Sequence, residues 1–292
     1  MKDRKECPAC GSMNAFAAGT KNGFDIQVCS SCSSIYTGQL PEAAEAEDYN
    51  EYYCDENLTA PAFLKVRVHQ IVAGFDRFQQ TGRLLDVGFG SGNILDEAKE
   101  QGWDVYGTEV SRPAVERAEQ RGHKVFHGEL LDQKFDEGFF DVVCASEILE
   151  HLSDPKRELA EIARILRPGG LLWATTPSAR SLSFRVMSTG WTTLSPPEHV
   201  QLYSPEGVRT LLRSAGFDRV SLTTAGINIG ELLNHYRGTS FSTGDERVQS
   251  GFALNERFSK TSSRTFIKNA INRAIGVCGI GDSIKIFAQT TK

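Results

Sequence analysis

The sequence predicts an α/β protein in which a mostly parallel sheet is flanked by helices and a small four-cysteine module stands at the N-terminus. Short apolar runs alternate with helical segments from residue 83 onward, as in chains built from βαβ units. A glycine-rich turn follows the first of these runs, and two C-x-x-C pairs lie near the start of the chain. These features divide the 292 residues into a module at 1–38, a linker at 39–60 and a large domain at 61–292.

Composition restricts the classes of protein that this chain can be. With 32 basic and 37 acidic residues the formal net charge is −5, which disfavours a general nucleic-acid-binding protein, because such proteins carry a basic surface. The first six residues are not followed by an apolar run, and no stretch approaches the roughly 18 apolar residues of a membrane span. We therefore expect a cytoplasmic protein with reduced cysteines and no membrane partner.

Four of the seven cysteines form two closely spaced pairs, which is the pattern of a metal site. The predicted metal ligands are Cys7, Cys10, Cys29 and Cys32. Two such turns supply the tetrahedral set of four thiolates that Zn²⁺ prefers, and Gly11 and Ser33 follow the pairs where the backbone wraps the metal. A closed site of this kind predicts structural zinc. The alternative is a set of four reduced cysteines without a metal.

The large domain is expected to begin with a helix over 61–78 and to continue with alternating strands and helices. Strands are predicted at 83–87, 104–108, 124–126, 140–145, 171–175, 219–224 and 283–289. Helices are predicted at 92–101, 111–121, 154–166 and 204–216. Because α/β folds bind ligands at the carboxyl ends of their strands, the residues that follow the strands are the candidate binding residues.

A glycine-rich turn joins the first strand of the large domain to its following helix. It contains Asp86, Gly88, Gly90 and Gly92, and the glycines let the backbone approach a ligand closely. A dinucleotide fingerprint G-x-G-x-x-G would need a glycine where this chain has Asn93. A carboxylate beside the turn also suits a ligand with a cationic amino acid end better than a pyrophosphate.

The D-x-G-x-G-x-G turn resembles that of the class I S-adenosylmethionine-dependent methyltransferases, which have a Rossmann-like fold. Later segments continue the resemblance in the same order: Glu109 after the second strand, 128–130 after the third, Ser146 after the fourth, and the turn at 166–170 before the fifth. The most similar subgroup is the ubiquinone-biosynthesis-type O-methyltransferases, some of which carry an N-terminal zinc-binding segment. The resemblance implies a methyltransferase that uses S-adenosylmethionine as its cofactor.

The resemblance also assigns roles to individual residues. Glu109 corresponds to the carboxylate that binds the ribose hydroxyls, Glu129 and Leu130 to the loop at the adenine edge, and Ser146 to the amino acid end of the cofactor. At Glu129 the family often has aspartate. The implied cofactor-binding residues are Asp86, Gly88, Phe89, Gly90, Gly92, Glu109, Glu129, Leu130 and Ser146.

A hydroxyl acceptor has to lose a proton during methyl transfer, and histidine is the usual general base near neutral pH. His199 follows the fifth strand and is the predicted catalytic base, with Glu198 as a weaker candidate. Trp191 and Tyr203 are predicted to form walls of the acceptor pocket. The alternative for His199 is a structural histidine that braces its own loop.

Residues 226–275 form a long connection between the last two strands, and we predict a lid or a substrate wall there. One helical face of this connection is apolar, with basic residues beside it at 257, 260, 264, 268 and 273. The basic residues favour an acceptor with an anionic handle, such as a phosphate. The alternative is an ordinary amphipathic helix with a solvated basic face.

The sequence therefore favours methylation of a hydroxyl on a small molecule of the sugar, quinone or natural-product type. A methyltransferase of RNA or protein that docks through the zinc module is the main alternative, although Lys21 is the one basic residue between the first and last paired cysteines. A non-catalytic binding protein and an NAD-dependent dehydrogenase are weaker alternatives, the latter because of Asn93. No oligomeric state is predicted.

Overall fold

The computed structural model describes residues 2–41, 62–239 and 275–291. These residues pack as two compact units. The first unit takes its described residues from Met1–Glu45, Thr176–Arg209 and Leu222–Lys285, and the second from Ala46–Thr175, Thr210–Ser221 and Ile286–Lys292. Most of the predicted linker and of the predicted lid, with all five of its basic residues, lies outside the described residues. The domain bounds given above stay a prediction.

Small antiparallel sheets hold the N-terminal part of the first unit together. The N-terminal strands are β1 (Lys2–Asp3), β2 (Ala15–Lys21), β3 (Phe24–Cys29), β4 (Ile35–Thr37) and β5 (Gln39–Leu40). Strands β1 and β5 pair with each other, while β2, β3 and β4 form a sheet that is completed by β11 (Gln201–Leu202), in the order β11-β4-β3-β2. The residues of β11 stand more than 160 positions after those of β4, and nothing local in the sequence predicts this pairing.

A seven-stranded sheet is built from the predicted alternating segments. Its strands are β6 (Arg83–Val87), β7 (Asp104–Glu109), β8 (Lys124–His127), β9 (Phe140–Ser146), β10 (Leu166–Pro177), β12 (Arg219–Ala225) and β13 (Ser283–Gln289). Their order is β12-β13-β10-β9-β6-β7-β8, and the pairs β10–β9, β9–β6, β6–β7 and β7–β8 are parallel. The predicted fold class, a mostly parallel sheet with flanking helices, is confirmed.

Helices connect the strands, and the sequence predicted five of those listed here but not the two at 182–187 and 229–236. They are α1 (Ala62–Ala73), α2 (Asn93–Glu100), α3 (Arg112–Gln120), α4 (Pro155–Ile165), α5 (Leu182–Met187), α6 (Pro205–Ser214) and α7 (Ile229–Tyr236). Asp154 caps α4 as predicted, because its side chain accepts a hydrogen bond from the Arg157 amide at 3.2 Å. No helix within the three described ranges is both long and apolar enough to span a membrane.

The second unit has a dense apolar core on which the glycine-rich turn rests. Buried residues of β6, β7, α2 and α3 pack together there, including Leu84, Val105, Leu95 and Ala118. One difference from the prediction lies before the fifth strand: the expected turn at 166–170 is already part of β10, whose register shifts between Leu166 and Leu171. The two glycines of that turn are thus accommodated as an irregularity in a strand.

Candidate cofactor and metal sites

The glycine-rich turn leaves β6 with three glycines in the left-handed region of backbone space. Gly88, Gly90 and Gly92 have φ values of 62°, 52° and 74°, which side chains other than glycine rarely adopt. The Gly88 amide donates to the Thr108 carbonyl at 2.8 Å, so the turn is anchored to the neighbouring strand β7. A β-carbon at Gly88 would also collide with the Ile148 side chain. The backbone shape therefore depends on glycine here.

Glu109, at the carboxyl end of β7, fixes the turn from the side. Its Oε2 accepts a hydrogen bond from the Gly90 amide at 2.9 Å, and its Oε1 accepts from the amides of Val110 at 2.8 Å and Ser111 at 2.9 Å. These three N–H groups use three of the roughly four acceptor positions of a carboxylate. The side chain is buried, and one acceptor position on Oε2 is left for a ligand hydroxyl.

Asp86, the fourth residue of β6, has a buried carboxylate beside the turn. It is 3% exposed, and among the described residues none donates a hydrogen bond to it. Burial raises the pKa of Asp86 well above the ordinary aspartate range, and the negative charge of Glu109 raises it further. A cation placed beside Asp86 would relieve both effects.

The other predicted cofactor residues differ in the solvent exposure of their side chains. Phe89 is buried in the core, where a β-carbon on Gly107 would lie 2.5 Å from its ring. Leu130 is also buried, whereas Glu129 is exposed and caps a short 3-10 turn at Leu130–Asp132. The cofactor-binding roles of Phe89 and Leu130 stay predictions, and Gly107 is a neighbour of Phe89 that no sequence signal identified.

Ser146 ends β9 at the same edge of the sheet as Asp86 and Glu109. Its hydroxyl lies 2.9 Å from the hydroxyl of Thr175, the residue opposite it on β10. The Glu147 amide donates to the Thr175 carbonyl at 2.9 Å, and Glu147 has a φ of 54°. Thr175 was missed from the sequence because its partner is set by strand register, which one strand alone does not reveal.

The four paired cysteines come together in the first unit. All four sulfur atoms lie within 4.8 Å of one another, with Cys7–Cys32 and Cys10–Cys29 separations of 3.6 Å. A tetrahedral zinc site with Zn–S bonds of about 2.3 Å requires sulfur separations of about 3.8 Å. The donor set and its spacing therefore fit a Zn²⁺ ion.

The two cysteine turns have the same backbone shape. The Gly11 amide donates to the Cys7 carbonyl at 2.8 Å, and the Ser33 amide donates to the Cys29 carbonyl at 2.9 Å. Gly11 and Ser33 both adopt left-handed backbone, with φ values of 70° and 61°. The expectation that the backbone turns at these two positions is thereby confirmed, and Ser33 does so without the freedom of glycine.

Hydrogen bonding among the sulfur atoms favours the charged form of Cys32 at the expense of its partner Cys7. The hydrogen bond between Cys7 and Cys32 lowers the pKa of Cys32 to about 5, and the same bond raises the pKa of Cys7 above its ordinary value. Burial raises the pKa of Cys10 to about 11. One thiolate thus forms readily, and the charge of a bound cation would favour ionisation of the others.

His199 lies in the segment that follows α5 in the first unit. Its Nδ1 is 2.5 Å from the Thr193 carbonyl oxygen. Because a carbonyl oxygen only accepts hydrogen bonds, Nδ1 carries the proton of the neutral ring, and Nε2 is the nitrogen that can take up another. Glu198, the weaker candidate base, accepts a hydrogen bond from the Ser195 hydroxyl at 3.3 Å.

The aromatic residues near His199 are not where the sequence placed them. Trp191 is 1% exposed and packs in an apolar core with Ile26, Ile35 and Leu202, and Tyr203 is fully buried. The prediction that Trp191 and Tyr203 form pocket walls is therefore wrong. Part of the apolar surface that covers Trp191 comes from Ile26 and Ile35, on strands remote in sequence.

Comparison with known proteins identifies the family. The profile of the methyltransferase-domain family matches residues 59–222. A ubiquinone biosynthesis O-methyltransferase of Maricaulis maris is 30% identical over 149 residues, which cover 46% of this chain and 58% of that protein. The protein of the same name from Cereibacter sphaeroides strain ATCC 17025 is 29% identical over 179 residues, covering 55% of this chain and 72% of that protein.

Solved structures share the fold at lower identity. A SAM-dependent methyltransferase from Archaeoglobus fulgidus superposes with a TM-score of 0.55 at 17% identity, covering 83% of this chain and 100% of that chain. Phosphoethanolamine N-methyltransferase 2 of Haemonchus contortus, solved with S-adenosyl-L-methionine, gives a TM-score of 0.51 at 18% identity, covering 88% and 63%. The recognition of an S-adenosylmethionine-dependent methyltransferase from the sequence is confirmed, and the chain belongs to the methyltransferase-domain family.

Proposed function

We propose that this protein transfers the methyl group of S-adenosylmethionine to a hydroxyl of a small molecule. The observation that carries the proposal is the buried Asp86 carboxylate, which lacks a hydrogen-bond donor among the described residues and stands beside a turn of three left-handed glycines. S-adenosylmethionine carries an ammonium and a sulfonium group, and a cationic ligand offsets the cost of burying this carboxylate.

The other residues of the sheet edge suit the remaining parts of the cofactor. The acceptor position left on Glu109 Oε2 can take a ribose hydroxyl, while the amides that it holds keep Gly90 and Ser111 in place. Glu129 and Leu130 stand at the loop assigned to the adenine. The hydroxyl of Ser146, held by Thr175, is assigned to the amino acid end.

The methyl group of a sulfonium is already activated, so the protein acts mainly by aligning the acceptor for in-line displacement. A hydroxyl acceptor loses its proton as the O–CH₃ bond forms and the S–CH₃ bond breaks. His199 is assigned the role of general base, since the Nδ1 hydrogen bond to Thr193 makes Nε2 the basic nitrogen. S-adenosylhomocysteine and the methyl ether are the products.

The names of the relatives support a choice of acceptor class. The similar proteins from Maricaulis and Cereibacter are named ubiquinone biosynthesis O-methyltransferases. A phenolic or quinol hydroxyl is therefore the first acceptor type to try, with sugar and natural-product hydroxyls next. The idea of an anionic handle on the acceptor depends on basic residues outside the described part of the chain and stays a proposal.

We further propose that Cys7, Cys10, Cys29 and Cys32 bind one structural Zn²⁺ ion. Four sulfur ligands complete a tetrahedral shell and leave no position for water or substrate. When bound, such an ion supplies folding free energy to a unit that is too short to bury a large core of its own.

The test is a methyl-transfer assay with radiolabelled S-adenosylmethionine and a panel of phenolic, sugar and amine acceptors. We expect transfer to a hydroxyl, and we expect His199→Asn to reduce kcat by about 100-fold or more, as is usual when a general base is lost. His69→Asn changes an exposed histidine on α1 and is the matched control. Transfer confined to amine acceptors, or full activity of His199→Asn, would contradict the proposal.

A further inference from the structure

The segment that carries His199 is held by the N-terminal cysteine module, and both belong to the first unit. We call residues 191–204 the histidine segment and residues 2–40 the module. The Lys21 ammonium of the module donates to the Trp191 carbonyl at 2.9 Å, and the Asn22 side-chain amide donates to the Pro196 carbonyl at 2.7 Å. The backbone of the histidine segment is thus tied to the hairpin between β2 and β3.

A second set of bonds ties the segment to β4. Strand β11 pairs antiparallel with β4, with Gln201 opposite Tyr36, and the Thr37 amide donates to the Val200 carbonyl at 2.9 Å. The Arg4 guanidinium also donates to the Gln201 side chain at 2.7 Å. His199 is therefore flanked on its C-terminal side by residues whose backbone is part of the module's sheet.

A third link leads directly to a metal ligand. The Ser204 amide donates to the Ser34 hydroxyl at 3.1 Å, and the Ser34 hydroxyl lies 3.3 Å from the Cys32 sulfur. With zinc bound, the Cys32 thiolate would have no proton to give, and the Ser34 hydroxyl, which accepts from the Ser204 amide, would donate its proton to the sulfur. The Ser204 hydroxyl in turn donates to the Cys32 carbonyl.

Apolar packing reinforces these bonds. Trp191, Leu194 and Leu202 of the histidine segment pack against Ile26 and Ile35 of the module in one buried core. The histidine segment itself has one two-residue strand as regular structure, so its shape depends on the surface that it packs against. The short module depends on its metal for the same reason.

We propose that the zinc-bound module is the positioning element of the histidine segment, so that metal binding at the four cysteines fixes the backbone that carries His199. Ser34 and Ser204 are positioning residues that connect the metal ligand Cys32 to the segment. The inference rests on the proposed function for the reacting role of His199, and on the cysteine geometry for the metal. It gives the cysteine module a role in catalysis without contact with the reacting atoms.

The test is hydrogen–deuterium exchange of the full chain, followed by mass spectrometry, with zinc bound and after removal by a chelator. We expect metal removal to speed exchange of the amides at 200–208 by at least tenfold. Helix α2, in the second unit, is the internal reference for global unfolding. Unchanged exchange at 200–208, together with faster exchange at 7–32, would overturn the proposal.

A variant that keeps all four ligands separates positioning from general loss of structure. Ser204→Ala removes the hydroxyl that donates to Cys32 and accepts from the Gly207 amide at 2.9 Å. We expect this variant to retain one zinc per chain and its affinity for S-adenosylhomocysteine, while exchange at 200–208 rises several-fold and kcat falls. Ser30→Ala, an exposed serine next to the ligand Cys29, is the control and should change none of these quantities.

The exchange measurement also keeps this inference separate from the proposed function. If His199→Asn retains full activity but metal removal still loosens 200–208, the base assignment is wrong and the positioning role stands. If Ser204→Ala keeps the exchange rates of the wild type, the serine link is wrong whatever the activity of the protein.

Discussion

The glycine-rich turn and the histidine segment differ in how far along the chain their stabilising contacts lie. The turn at 86–92 is held by bonds within a short stretch of chain, since its partners Thr108 and Glu109 belong to the next strand. The histidine segment is held by residues more than 150 positions away, among them Lys21 and Thr37. One site is therefore a property of a local motif, and the other depends on assembly of the whole first unit.

The largest effect should come from breaking the proposed metal site, because the proposal makes the fold of the first unit depend on zinc. Cys29→Ser removes one of four ligands, and a structural zinc contributes on the order of 10 kcal/mol to small domains. We expect loss of bound zinc, measured by atomic emission, and a protein whose first unit no longer unfolds cooperatively. Cys278→Ser changes an exposed cysteine outside the cluster and should retain both zinc and stability.

Breaking the local site should affect binding more than folding. The wild-type Glu109 carboxylate accepts hydrogen bonds from backbone amides on both oxygens. In Glu109→Gln, the side-chain NH₂ group would face one of these N–H donors. One buried donor would then lack an acceptor, at a cost of about 1–3 kcal/mol. We expect S-adenosylhomocysteine to bind about tenfold to 100-fold more weakly, as measured by calorimetry. Glu116→Gln, on the exposed face of α3, should bind like the wild type.

The buried Asp86 carboxylate should favour cofactor binding but lower the stability of the ligand-free protein. Its pKa is raised in the folded protein, so the folded state binds more protons than the unfolded state above the ordinary aspartate value of about 3.9. Stability of the ligand-free protein therefore falls as pH rises from that value toward the raised pKa. Asp86→Asn cannot ionise, so this loss of stability at higher pH should be absent from the variant.

The measurement for Asp86 is a series of thermal unfolding curves between pH 4 and pH 8 without ligand. We expect Asp86→Asn to unfold at a higher temperature than the wild type at pH 8, with the difference shrinking as pH falls. Asp76→Asn, at an exposed position, should follow the wild type throughout. If Asp86→Asn unfolds at a lower temperature than the wild type at pH 8, the prediction is wrong, because the charged carboxylate would then be stabilised by its surroundings in the folded protein.

The smallest effect concerns the second cysteine turn. Ser33 is exposed and adopts a φ of 61°, which costs a non-glycine residue about 1–2 kcal/mol, whereas glycine loses about 0.5–1 kcal/mol of additional chain entropy. Ser33→Gly should therefore raise the free energy of unfolding by up to about 1 kcal/mol in chemical denaturation. Ser30→Gly, at a position without left-handed backbone, should lower it slightly.

The sequence predicted what local chemistry determines. The strands at 83–87 and 283–289 have the predicted bounds, and the helix cap at Asp154 and the backbone turns after both cysteine pairs were also anticipated. Apolar periodicity, capping residues and glycine carry this information within a few neighbouring residues. The same holds for Asp86 and Glu109, which lie near the carboxyl ends of strands that the pattern identifies.

The sequence did not predict the contacts between segments that are distant along the chain. The short strands of the module, the addition of β11 to β4, and the burial of Trp191 in a core with Ile26 all depend on which surfaces meet in three dimensions. An aromatic residue after a strand fits a pocket wall and a core equally well in sequence terms. Likewise, Gly107 revealed its role only through the Phe89 ring that packs over it.

The most direct test of the central claim is calorimetric titration of S-adenosylhomocysteine into zinc-loaded protein, in parallel with Asp86→Asn and Asp76→Asn. We predict micromolar binding to the wild type and to Asp76→Asn, and binding at least tenfold weaker to Asp86→Asn, because the proposal places Asp86 at the cationic end of the ligand. Absence of binding to well-folded wild-type protein, or equal affinity in Asp86→Asn, would contradict the assignment of this sheet edge as the cofactor site.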